Sequence, residues 1–131
     1  MLRHVARVLL GLFLLAAGVA HVVARETFHA QVPDWFPVDA DLVVLASGAV
    51  ELVLGAALLA APAGRRRLVG WVVAAFFVAI FPGNVAQYVE GTDAFGLETD
   101  GARLTRLFFQ PLLVVWALWS TGALRRDSSG A

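Results

Sequence analysis

The chain is 131 residues long, 60% hydrophobic and 15% charged, with no cysteine and no net charge, and its mean hydropathy is +0.77. That balance excludes an ordinary water-soluble domain, whose surface needs more charge than is available here, and the missing cysteines exclude disulfides, thiolate metal sites and iron–sulfur clusters. The ten basic residues are all arginine and are matched by ten acids, so attraction to nucleic acid has no support and lipid is the expected solvent.

The first predicted element covers residues 5–24, an apolar run close to the ~20 residues that a spanning helix needs. Gly11, Gly18 and His21 fall on one of its faces, a small-residue stripe ending in a polar group near the outer end. A lone histidine there either serves a ligand or hydrogen-bonds a backbone carbonyl. Arg3 and Arg7 before an apolar run, with Val22-Val23-Ala24 behind it, also fit a cleaved signal peptide. The segment is expected to stay as a span, and the later spans keep the same orientation under either reading.

The connection that follows contains Glu26 and His29 at Glu-x-x-His spacing, but the second such pair and the extra carboxylates of a di-iron bundle are missing. Phe28, Val32, Pro33, Trp35, Phe36 and Pro37 make it unusually apolar and stiff for a surface loop. It is expected to lie in the membrane interface, anchored by Trp35 and Phe36, or to fold over a pocket as a lid.

Residues 40–61 form the second predicted span. Glu51 lies ten residues after Asp41, about 15 Å along a helix and so near the middle of the bilayer. An intramembrane carboxylate is costly and usually faces protein or water. Ser47, Glu51 and Gly55 are spaced by four and share a face with Gly48, so Glu51 is expected to point into the bundle, where it serves a ligand, a proton or a partner, or is a hydrogen-bonded packing residue.

Pro62 and Gly64 punctuate the next connection, and residues 68–88 form the third span. It holds Asn84 and Gln87 one turn apart, just after Pro82, whose missing N–H is expected to bend the helix and expose a carbonyl. Gly91, Gly96 and Gly101 mark the following connection. The fourth span, 104–124, carries Arg106 and Gln110 one turn apart. Arg106 either reaches inward to balance Glu51 or snorkels to head groups. Asn84, Gln87 and Gln110 are each read as ligand contacts or as interhelical hydrogen-bond glue, and Trp71, Trp116 and Trp119 as interfacial or lipid-facing aromatics.

Residues 1–126 are thus one all-α domain, a four-transmembrane-helix bundle, with 127–131 a disordered tail. Arg3, Arg7, Arg65, Arg66, Arg67, Arg125 and Arg126 fall on one side, and Arg25, Arg103 and Arg106 with most acids on the other. Cytoplasmic flanks hold the excess of positive residues, which puts both termini in the cytoplasm. With only His21 inside a span, a bis-histidine haem is not expected, and neither is a metal.

Several short patterns occur in order: Gly18-x-x-His21, Val32-Pro33-x-Trp35-x-Pro37, Ser47-Gly48-x-x-Glu51-x-x-x-Gly55, Pro62 with the arginines after it, Pro82-x-Asn84, and Arg106-x-x-x-Gln110 with Trp116. From about Gly11 to Trp119 the chain resembles the DoxX-like family of small four-helix membrane proteins. It departs from it at Phe108-Phe109, where members often carry an aliphatic residue or proline before the glutamine. The resemblance implies the topology and a loose functional neighbourhood: a membrane subunit linked to a thiosulfate:quinone oxidoreductase, relatives in membrane redox complexes or thiol stress responses, and a distant eukaryotic branch of receptor-assembly chaperones.

The leading expectation is a multi-pass protein of a bacterial plasma membrane, a redox-associated subunit that binds a quinone or similar lipophilic molecule. Its outer-half pocket would draw on His21, Trp35, Ser47, Glu51, Asn84, Gln87, Arg106 and Gln110. The chain carries no redox centre, so electrons would come from a partner protein, and no catalytic residue can be named. Two alternatives are a structural or chaperone-like subunit that holds a partner through Gly48, Gly55 and the proline-rich loop, and proton-coupled transport through Glu51 in a homo-oligomer.

Overall fold

A computed structural model describes residues 1–29, 32, 35–90 and 99–125, except for the side chains of Asn84, Ala86, Gln87, Tyr88, Glu90, Asp100 and Arg103. The expectations for Pro33, Asn84, Gln87, Arg103, the glycines 91 and 96, and the 127–131 tail lie outside the described residues. The elements are α1 (Leu2–Val23), α2 (Arg25–Phe28), α3 (Ala40–Ala60), a 3₁₀ turn (Ala63–Arg65), α4 (Arg66–Glu90) and α5 (Asp100–Ser120). Among the described residues the chain is all helical, with no strand.

Among the described residues three helical stretches are long and apolar enough to cross a membrane, Leu2–Val23, Ala40–Ala60 and Ala63–Gly83, and a shorter apolar stretch, Leu104–Ser120, lies in α5. What faces outward supports lipid as the solvent. Each of α1 and α3 buries a single stripe at three- and four-residue spacing: Arg7, Leu10, Gly11, Leu14, Gly18 and His21 on α1, and Val44, Gly48, Glu51, Leu54, Gly55 and Leu58 on α3. The faces turned away are also apolar, with Leu9, Leu12, Val19, Val50, Val53, Val78, Leu112 and Val115 exposed. In water these faces would be polar.

Local chemistry sets the helix ends. Ala61 is extended before Pro62, as the residue preceding a proline must be. Thr99 caps α5 by accepting a hydrogen bond from the Ala102 N–H at 3.1 Å. At the other end of α5, Gly122 takes φ +75°, and the Ala123 and Gly122 N–H groups donate back to the Leu118 and Trp119 carbonyls at 2.9 and 3.1 Å. This is the glycine-terminated helix stop that a left-handed residue permits.

The interior is built from Leu10, Leu14, Leu54, Leu58, Val73, Ala74, Phe77, Ala117, Leu118 and Ala123. α1 packs most extensively on α3, and α4 on α5, whereas α3 and α4 touch only lightly. The α1–α3 approach depends on glycine. A Cβ on Gly18 would stand 2.9 Å from the Gly48 carbonyl oxygen, and one on Gly55 would stand 2.8 Å from that of Gly11. Gly48 and Gly55 are therefore used inside the chain. That corrects the expectation that they form a face for a partner protein.

Trp116 also departs from the lipid-facing role expected of it. It is half-buried, its indole N–H donates to the Ala6 carbonyl at 2.8 Å, and its ring stacks on Phe13. It ties α5 to α1. Trp71 and Trp119 are exposed.

Candidate functional site

The close α1–α3 packing delivers two polar side chains to one place. Glu51 lies near the midpoint of the 21-residue α3 and is 4% exposed, and His21, in the last turn of α1, is 7% exposed. His21 Nδ1 lies 2.7 Å from the Ala17 carbonyl oxygen and 3.4 Å from Glu51 Oε2. A carbonyl can only accept, so Nδ1 carries the proton and donates to Ala17, its N–H edge turned toward the carboxyl. Glu51 Oε2 is fully buried and accepts no hydrogen bond from any described residue. Such an atom is costly to keep and calls for an explanation beyond packing.

A cavity of about 750 Å³ opens beside this pair, at the place where α3 and α4 pull apart. α3 supplies Val43, Val44, Ser47 and Glu51, and α4 supplies Phe76, Phe77, Ile80, Pro82 and Gly83. α1 gives Phe13, Ala17 and His21, while Arg106 and Leu113 come from α5. Pro82 lies inside the helix and has no N–H to give the Val78 carbonyl. The apolar connection after α1 adds Phe28, Val32, Trp35 and Phe36. Phe28 stacks on the His21 ring with centroids 3.8 Å apart, and Trp35 is 74% exposed. This connection thus forms part of the cavity wall.

Of the side chains singled out in the sequence, His21, Trp35, Ser47, Glu51 and Arg106 meet at this cavity. Gln110 stands behind it: it is 2% exposed, donates to the Phe77 carbonyl at 2.5 Å and accepts from Arg106 at 3.3 Å. It joins α5 to α4 and steadies Arg106. Among the described residues Arg106 forms no ion pair with Glu51, whose one charged or chargeable neighbour within 4.0 Å is His21. The α5 guanidinium and the α3 carboxyl therefore remain separate polar points on a mostly apolar wall that also carries His21 and Ser47.

One cluster has no counterpart in the sequence reading. Asp41 Oδ1 is hydrogen-bonded to His29 Nε2 at 2.5 Å and ion-paired with Arg25 Nε at 3.6 Å. This fastens the segment after α1 to the start of α3 at the cavity's end. The partners are 12 and 16 residues apart in a connection without periodicity, so spacing offers no signal for it. Glu26, the other half of the Glu-x-x-His pattern, is exposed.

Comparison with known families decides the chain's affiliation. The family described as Domain of unknown function (DUF8561) has a model that matches residues 10–121. The chain belongs to that family. No curated protein and no solved structure matches it. His21, Glu51, Arg106 and Gln110 all lie inside the stretch matched to DUF8561, and so does every residue named above in the cavity wall.

Proposed function

We propose that this protein is a four-span membrane protein with cytoplasmic termini that holds a lipophilic small molecule of the quinone class in the cavity between α3 and α4. We further propose that it acts as a redox-associated subunit in a bacterial plasma membrane. The observation that carries the binding reading is the buried, unpartnered Glu51 Oε2 on the wall of a large apolar cavity. The volume of about 750 Å³ falls within the span of about 300–1,000 Å³ usual for small-molecule sites, which are mostly apolar with a few placed polar groups.

A quinone presents two carbonyl oxygens on a flat apolar ring and needs a hydrogen-bond donor for each. Arg106 has five N–H donors, and one is used on Gln110; the rest can serve one carbonyl. The Glu51–His21 pair stands at the other polar point and would relay a proton there. The redox role rests on the DoxX-like pattern, which runs from about Gly11 to Trp119. The electron donor would be a separate protein.

The scaffold alternative loses its glycine face, because those glycines pack within the chain. The two readings part on one experiment. A short-chain ubiquinone or menaquinone analogue is titrated into the purified protein in detergent, and into the Glu51→Gln and His21→Ala variants. The proposal expects saturable binding, weakened about tenfold or more in each variant, a loss of ~1.4 kcal/mol. Equal affinity in all three proteins removes the assignment, and a copurifying protein retained by Glu51→Gln would favour the scaffold.

A further inference from the structure

A second cavity, of about 450 Å³, lies at the opposite end of the bundle from Asp41, where α1 begins and α5 ends. Arg3, Arg7, Arg66, Arg67 and Arg125 line it, and among the described residues no acidic side chain does. Arg7 is 2% exposed; it donates to the Leu58 carbonyl and, at 2.7 Å, to His4 Nδ1. Among the described residues it has no carboxylate within ion-pairing distance. A buried guanidinium without a counter-ion is expensive, and Arg3 and Arg66 bring like charge to the same hollow.

A topological signal explains arginines near helix ends, but it does not require five of them to converge on one hollow or one of them to be buried. Backbone carbonyls take donors from three of them: Arg7 on Leu58, Arg66 Nε on Ala61 at 3.3 Å, and Arg67 Nη2 on Arg125 at 2.9 Å. Each guanidinium has five donors. Among the described residues both terminal nitrogens of Arg66 are uncommitted, and Arg3 spends its charge only over the Trp119 ring, at 5.5 Å. α4 begins at Arg66, on this wall, and adds the positive end of its dipole.

We infer that this hollow is a binding site for a phosphate-bearing anion, whose oxygens would be gripped by Arg3, Arg66 and Arg7. Arginine forks match phosphate geometry, and basic hollows between spanning helices are suited to anionic lipid head groups. The same chemistry is offered by a phospholipid phosphate and by a soluble one. The site is independent of the α3–α4 cavity and stands or falls without it.

The test uses the full chain in neutral detergent with two probes, phosphatidylglycerol against phosphatidylcholine in mixed micelles, and inorganic phosphate. Lipid retention is read by native mass spectrometry and phosphate binding by calorimetry. The expected result is retention of phosphatidylglycerol at least about tenfold above phosphatidylcholine, lost by about tenfold in Arg3→Gln/Arg66→Gln and kept in Arg25→Gln at the other end. Arg3→Gln alone, at an exposed position, keeps the fold and loses about threefold. Phosphatidylglycerol that inorganic phosphate cannot displace identifies a lipid; phosphate binding without lipid preference, lost in the same variants, identifies a soluble ester. Binding of neither probe, or equal binding by wild type and the Arg3 variants, overturns the inference.

Discussion

Glu51 illustrates how a side chain can be retained against stability. Its Oε2 is buried without a hydrogen bond from the described residues, and an unsatisfied buried acceptor costs about 1–3 kcal/mol. Replacing it by Leu removes that cost and keeps an apolar wall. Glu51→Leu is therefore expected to raise the thermal unfolding midpoint in detergent while abolishing ligand binding. A lower midpoint would mean that the carboxyl has a structural partner. The inward aim of Glu51 was legible in the sequence because Ser47, Gly48 and Gly55 share its face. The placement of Gln110 was not. Its partner is the backbone carbonyl of Phe77, 33 residues away, and every residue has a carbonyl, so no side-chain pattern encodes that choice.

At the scale of elements, the glycine contacts between α1 and α3 determine whether His21 reaches Glu51. The Gly48 carbonyl cannot yield as a flexible side chain would, so Gly18→Ala must push the helices apart. Its expected cost is ~1–3 kcal/mol, with a parallel loss of ligand affinity as the imidazole retreats from the carboxyl. Gly64→Ala, where a Cβ meets nothing within 4 Å, is expected to leave both unchanged; the comparison is made by thermal unfolding of the two variants side by side. The helices themselves could be read from apolar runs of about 20 residues, and the end of the second from Pro62, whereas the fourth begins at Asp100, four residues ahead of the expected 104. The first helix begins three residues earlier than predicted and the last ends four residues sooner, at Ser120. The sequence announced small residues on α1 and α3 but not that the two stripes face each other, since pairing depends on how all the helices share the interior. The slack between α3 and α4, and so the cavity, is a product of that sharing.

For the molecule as a whole, the segregation of charge has a structural counterpart. Arg3 stacks on Trp119, Arg7 caps Leu58 and Arg67 caps Arg125, which gathers the start of α1 and the ends of α3 and α5 at one end. The Arg25–Asp41–His29 cluster marks the other. The absence of native cysteine makes the proposed orientation easy to test. In inside-out vesicles, a membrane-impermeant maleimide is expected to label Leu2→Cys and Leu124→Cys and to spare Glu26→Cys, with the reverse in intact cells. Labelling of Leu2→Cys and Glu26→Cys from the same side would contradict the arrangement. The sequence separated the two charge classes along the chain; only the folded arrangement shows five arginines around a single hollow.

The central claim is that a lipophilic molecule sits between α3 and α4 against Glu51 and His21. Photolabelling with an azido-quinone, followed by peptide mapping, tests it most directly. Label is expected on the cavity wall, at Phe13, Phe28, Phe76 or Ile80, and it should fall in Glu51→Gln. Label confined to outward-facing positions such as Leu112 and Val115, and indifferent to Glu51, would contradict it.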